Sequence, residues 1–61
     1  MKLKDLIELI AEIQIVQVFA GGGSDLTAEA GTLAACLRDE LMDGEVTNIE
    51  ASDDVLKVWV A

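Results

Sequence analysis

The sequence predicts an α+β fold, a small antiparallel sheet with two helices in the order helix–strand–strand–helix–hairpin. Three observations lead there. A β-branched run carrying an aromatic, Glu12–Ala20, stops at the glycines Gly21, Gly22 and Gly23, as a strand bounded by a turn does. On either side of it, in residues 2–11 and 32–43, apolar side chains recur at three- and four-residue spacing, the buried stripe of a helix. Towards the C-terminus, two apolar-rich runs flank Ser52-Asp53-Asp54, the pattern of a hairpin.

The first helix is expected over Lys2–Ala11. Leu3, Leu6, Ile7 and Ile10 form its apolar stripe, Lys2, Lys4, Asp5 and Glu8 lie mostly off it, and Leu9 stands apart as a candidate subunit contact. The central strand, Glu12–Ala20, breaks the period-two rule of a half-buried strand. Ile13-Gln14-Ile15 and Val16-Gln17-Val18 each alternate, but out of phase. Either a β-bulge near Ile15-Val16 restores the phase, or both faces of the strand are covered, which in so short a chain calls for a partner subunit.

The glycine triplet and Ser24-Asp25 read as a turn. A phosphate-cradling loop would lead into Lys-Ser/Thr, and no lysine follows. Leu26–Gly31 fits either a returning edge strand, because Leu26, Ala28 and Ala30 alternate with Thr27 and Glu29, or a helix capped by Ser24 or Asp25. A helix would hold Gly31 inside it at a cost of about 1 kcal/mol relative to alanine; the strand is favoured, in part on the likeness given at the end of this section.

A second helix is expected over Thr32–Asp43, with Thr32 as N-cap and Gly44 just past its end. Leu33, Leu37 and Leu41 form its buried side. Two acids near its C-terminal end would oppose the helix dipole. Glu45–Ala51 and Val55–Val60 then form the hairpin. In its second strand Leu56, Val58 and Val60 point one way, and Val55, Lys57 and Trp59 the other. Trp59 is either a core anchor or, because indole combines apolar area with one donor, an interface anchor.

Composition narrows the function. With 61 residues the chain is a single α+β domain, residues 1–61, near the lower size limit for an independent core. A hydrophobic content of 52% argues against disorder despite a net charge of −8. So much apolar surface in so little chain predicts a homodimer or larger assembly, with Val16, Val18, Phe19 and Trp59 at the interface. Four basic residues against twelve acidic ones exclude a nucleic-acid or anionic-membrane footprint. Between Asp39 and Asp54 the acids Asp39, Glu40, Asp43, Glu45, Glu50, Asp53 and Asp54 follow one another with no base among them. Such a surface suits a basic groove on another protein.

Catalytic and metal chemistry find little support. Cys36 is the one cysteine and there is no histidine, which removes a Cys/His zinc site, an internal disulfide and a histidine-activated nucleophile. Asp39, Asp43, Gly44 and Glu50 match four places of the calcium loop D-x-[DN]-x-[DN]-G-x5-E, but Leu41 holds the third and cannot ligate. No metal, no cofactor and no catalytic residue are expected. Asp5, Glu8 and Glu12 interrupt any signal-peptide core and no run is long enough to span a bilayer, so the expected compartment is the cytoplasm.

Several of these residues also carry a likeness. Met1-Lys2-Leu3-Lys4-Asp5-Leu6-Ile7, a strand ending in a glycine-rich turn, Gly31, and the tail Val46-x-x-Ile49-x-Ala51-x-Asp53-Asp54-x-Leu56-x-Val58 resemble short acidic proteins encoded by phages and prophages of Gram-positive bacteria. The likeness covers most of the chain but rests on structural positions, and Ala34-Ala35-Cys36 departs from the more polar connection usual there. It implies a viral or mobile-element origin, an activity not known for the group, action in the cytoplasm of a bacterial host, and no catalytic residues to carry over. By analogy with that class it suggests an inhibitor of a host regulatory or defence protein, of the anti-CRISPR kind. The alternative is a homo-oligomerising assembly module whose acids serve solubility.

Overall fold

The computed structural model describes residues 1–21 and 25–61. Its order is α1 (Leu3–Leu9), β1 (Ile15–Phe19), β2 (Asp25–Glu29), α2 (Ala30–Cys36), α3 (Asp39–Met42), β3 (Val46–Ser52) and β4 (Val55–Val60). The four strands form one sheet in the order β2-β1-β4-β3. β1 pairs antiparallel with β2, and β4 antiparallel with β3, but β1 and β4 lie side by side in parallel. The expected purely antiparallel sheet is therefore corrected to a mixed one. β1 and β4, the most apolar strands, take the two central places, where a strand on each side shields them, and the connection through β2, α2, α3 and β3 brings β4 back in the direction of β1.

The helices gather on one face. Leu3, Leu6 and Ile7 of α1 and Ala30 and Leu33 of α2 close over Val16 and Val18 of β1 and Val58 and Val60 of β4, and all nine are buried. An isolated helix as short as α1 is not stable in water; here its start is anchored in the sheet. The Leu3 amide donates to the Gly44 carbonyl at 2.9 Å and the Val46 amide to the Met1 carbonyl at 2.8 Å.

The central strand is shorter than expected. Glu12, Ile13 and Gln14 form the turn that leads into β1, and Ile13 is 78% exposed. With Ile13 outside the strand the phase conflict disappears, and no bulge is needed in β1. The bulge falls instead at Thr47, between the pairs Val46–Val60 and Asn48–Trp59. Residues 25–29 are the favoured strand, and Ala30-Gly31 open α2. The turn triplet lies mostly outside the described residues, which resume at Asp25.

The expected second helix is two. α2 starts before Thr32, with Glu29 as N-cap, and ends at Cys36; Leu37 and Arg38 are extended, and α3 starts at Asp39. The break eases a local conflict, which persists only at Asp43, the C-cap of α3. Asp39 and Glu40, read as acids near the unfavourable end of a long helix, sit in the first turn of a new one, where negative charge opposes nothing and favours the dipole. Leu37, freed from the helix, packs against the core.

Candidate binding face

Alternation along the strands turns every second side chain away from the helices. On β1 these are Ile15, Gln17 and Phe19, and on the parallel neighbour β4 they are Val55, Lys57 and Trp59, paired in register Ile15–Val55, Gln17–Lys57 and Phe19–Trp59. The outer strands add Asp25, Thr27 and Glu29 on one side and Asn48, Glu50 and Ser52 on the other. Among the described residues no helix lies over this face, because the core contacts of α1 and α2 are all with the opposite set.

At one end of the face Phe19 and Trp59 stack, with ring centroids 4.8 Å apart and planes inclined by 13°. That separation equals the spacing of neighbouring strands, about 4.8 Å, so the rings rise side by side from their own strands. Both are half-buried. Around them the polar groups are fixed by short contacts: the Gln17 Nε2 donates to an Asp25 carboxylate oxygen at 2.8 Å, and the Thr47 hydroxyl donates to the Trp59 carbonyl at 3.2 Å.

Of the four residues expected at an oligomer interface, Phe19 and Trp59 are on this face. Val16 and Val18 are not, and that assignment is corrected: both are sealed under the helices, at 0% and 3% exposure. The alternation that lifts Phe19 outward necessarily turns Val18 inward. Trp59 is likewise no anchor of the helix-covered core.

The expected acidic surface does not come together as one patch. Asp39, Glu40, Asp43 and Glu45 sit before β3, Glu50 lies within it, and Asp53 and Asp54 follow it. β3 has seven residues, so the two ends are separated by roughly 20 Å, nearly the full 24 Å extent of the molecule. Part of the first group is also engaged. Lys4 pairs with Asp43 at 3.1 Å, and its hydrogen bond and charge hold the Asp43 carboxyl below the usual carboxylate range. The terminal ammonium of Met1 pairs with Glu45 and lowers its pKa in the same way. Asp39, Asp43 and Glu50 do not converge, and among the described residues no group of three or more His, Cys, Asp or Glu side chains could hold a metal ion.

A hollow of about 510 Å³ lies at the other end of the sheet, between Ile10 and the β3–β4 turn. Its floor is apolar, with Leu56 and Val55. The one amide reaching into it, that of Gln14, already donates to the carbonyls of Ile15 and Asp54 at 3.0 and 2.8 Å. Cys36 is exposed at the end of α2.

Sequence reasoning placed Val55, Lys57 and Trp59 on one side of their strand but missed that Gln17 and Phe19 join them. The available signal was the concentration of apolar residues in β1 and β4, which marks both as central and therefore as neighbours. Among the described residues no helix is long and apolar enough to cross a membrane. Set beside known proteins, the chain matches no family model, no curated protein and no solved structure.

Proposed function

We propose that this chain is a non-enzymatic protein-binding module whose docking surface is the helix-free face of its sheet. The observation that carries the reading is the Phe19–Trp59 stack on the two central strands, because grouped aromatic side chains with polar neighbours are the usual energetic centre of an interface. The acids act around that centre: Glu50 lies on the face, and Asp39, Glu40, Asp43, Glu45, Asp53 and Asp54 lie towards its two ends. They select a basic partner and speed encounter with it. The likeness to phage-encoded proteins makes that partner a protein of the bacterial host and the module its inhibitor or regulator, acting in the host cytoplasm.

The test compares wild type with Phe19→Ser/Trp59→Ser and with Asp39→Asn/Glu40→Gln as baits in a Gram-positive lysate. A retained protein that is lost with the face variant, held less by the neutralised variant, and released by salt supports the reading. Retention unchanged by the face variant overturns it.

A second reading, a homo-oligomerising assembly module with no host target, is favoured by the apolar side chains left in water outside the face, Leu9 at 74% and Ile13 at 78% exposure. Light scattering decides it: an assembly dissociated by Leu9→Ser/Ile13→Ser supports this reading, and a monomer at every concentration removes it.

A further inference from the structure

We propose that the docking face receives an arginine side chain from a short basic segment of the partner, with the guanidinium laid on the β3-facing side of the Trp59 indole and its N–H groups donated to Glu50. This inference rests on the protein-binding reading above and names the chemistry of its central contact.

The geometry follows from the register. Phe19 covers one side of the indole from β1. The other side is turned towards β3, where the residue opposite Trp59 is the small polar Asn48. Two residues further along β3, Glu50 is the diagonal neighbour of Trp59, opposite Lys57. Diagonal neighbours across an antiparallel pair lie about 7–8 Å apart. A guanidinium stacked within about 6 Å of a ring centroid and hydrogen-bonded to a carboxylate at about 2.8 Å bridges that distance. Among the described residues the ion pairs are Met1–Glu45 and Lys4–Asp43, and Glu50 is in neither. Asp25, the carboxylate on the Phe19 side, already accepts from Gln17.

Charge and area select the occupant. The face carries Asp25, Glu29 and Glu50 against the single base Lys57, on a chain of net charge −8. A second copy presenting the same face would bring like-charged edges together. Four strands about 4.8 Å apart and about five residues long make a flat face of roughly 300 Å², against about 800 Å² per partner in a standard interface. That area suits an extended segment crossing the sheet better than a second copy. Arginine is preferred to lysine because its planar fork both stacks on an aromatic face and matches a carboxylate. Lys57, beside both groups, opposes the incoming cation, which fixes a sign: removing its charge strengthens the binding of a basic segment.

The probes are a capped Gly-Ser peptide carrying two arginines and its matched lysine and citrulline versions, titrated by calorimetry and by the emission of Trp59. The expected result is tightest binding for the arginine peptide, weaker binding for lysine, and no detectable binding for citrulline. Glu50→Gln, a surface change that spares the fold, is expected to weaken arginine binding several-fold. Lys57→Gln is expected to strengthen it, and Glu8→Gln, on α1 over the opposite face of the sheet, to leave it unchanged. Equal binding of arginine and lysine, indifference to Glu50→Gln, weakening by Lys57→Gln, or a dimer dissociated by Trp59→Ser would each overturn the proposal. If the face variant still loses a captured partner while the peptides show no arginine preference, this inference alone falls.

Discussion

The side chain that Gly44 lacks would overlap the Cγ1 methyl of Val60 and stand 3.0 Å from the carbonyl oxygen of Leu41. Gly44 is glycine because the end of β4 passes against it. The sequence offers a different reason, a helix C-cap in the left-handed region, but Gly44 does not adopt that region, and the constraint on it is one of space. Gly44→Ala is expected to cost about 1–3 kcal/mol, the usual penalty of overpacking. Val60→Ala opens a cavity and is destabilising alone, but together the two changes should be less harmful than their sum by about 0.5–3 kcal/mol. Urea denaturation of the four proteins in the cycle measures this, and simple additivity would refute the contact.

The β3–β4 turn is strained. Asp53 and Asp54 have φ of 49° and 66°, the type I′ geometry that suits a two-residue hairpin and favours Asn-Gly. Aspartate tolerates the left-handed region but glycine enters it freely. Asp53→Asn/Asp54→Gly is therefore expected to raise stability by about 1 kcal/mol, seen as a higher urea midpoint at unchanged slope.

The Lys4–Asp43 pair ties α1 to the end of α3 and gives stability a pH dependence of known sign. The Asp43 pKa is lowered, by the hydrogen bond from Lys4 first and by its charge second, so its contribution is present above the ordinary aspartate value and fades as pH falls through the lowered one. The Lys4 pKa is raised, by the hydrogen bond to Asp43 and then by its charge, so its contribution is present below the ordinary lysine value and fades as pH rises through the raised one. Both ends of the pair are exposed, so the effect is small and screened by salt. Asp43→Asn should flatten the acid limb of a plot of thermal midpoint against pH, and an unaltered limb would show the pair to be silent.

Burial separates apolar residues that look alike in the sequence. Leu33 is 1% exposed and Leu9 74%. Leu33→Ala should cost about 2–5 kcal/mol, the range for a buried leucine. Leu9→Ala should stay within about 0.5 kcal/mol. Denaturant midpoints distinguish them, and comparable losses would mean that Leu9 is covered by another copy of the chain.

The α+β class, the stripe of Leu3, Leu6 and Ile7, and the set Val55, Lys57 and Trp59 on one side of its strand were legible in the residues, because each depends on a period carried by near neighbours; Leu26–Gly31, open between strand and helix, was divided by the fold into β2 and the start of α2. Only the tertiary structure decided that β1 and β4 run parallel, since the pairing of strands forty residues apart in the chain leaves no local mark. That one pairing stacks Phe19 on Trp59. The break at Leu37-Arg38 was hidden for the same reason. A helix can end without a glycine or proline when packing repays the loss, and Leu37 turns back to the core formed by α1, β1 and β4, which the residues flanking it do not encode.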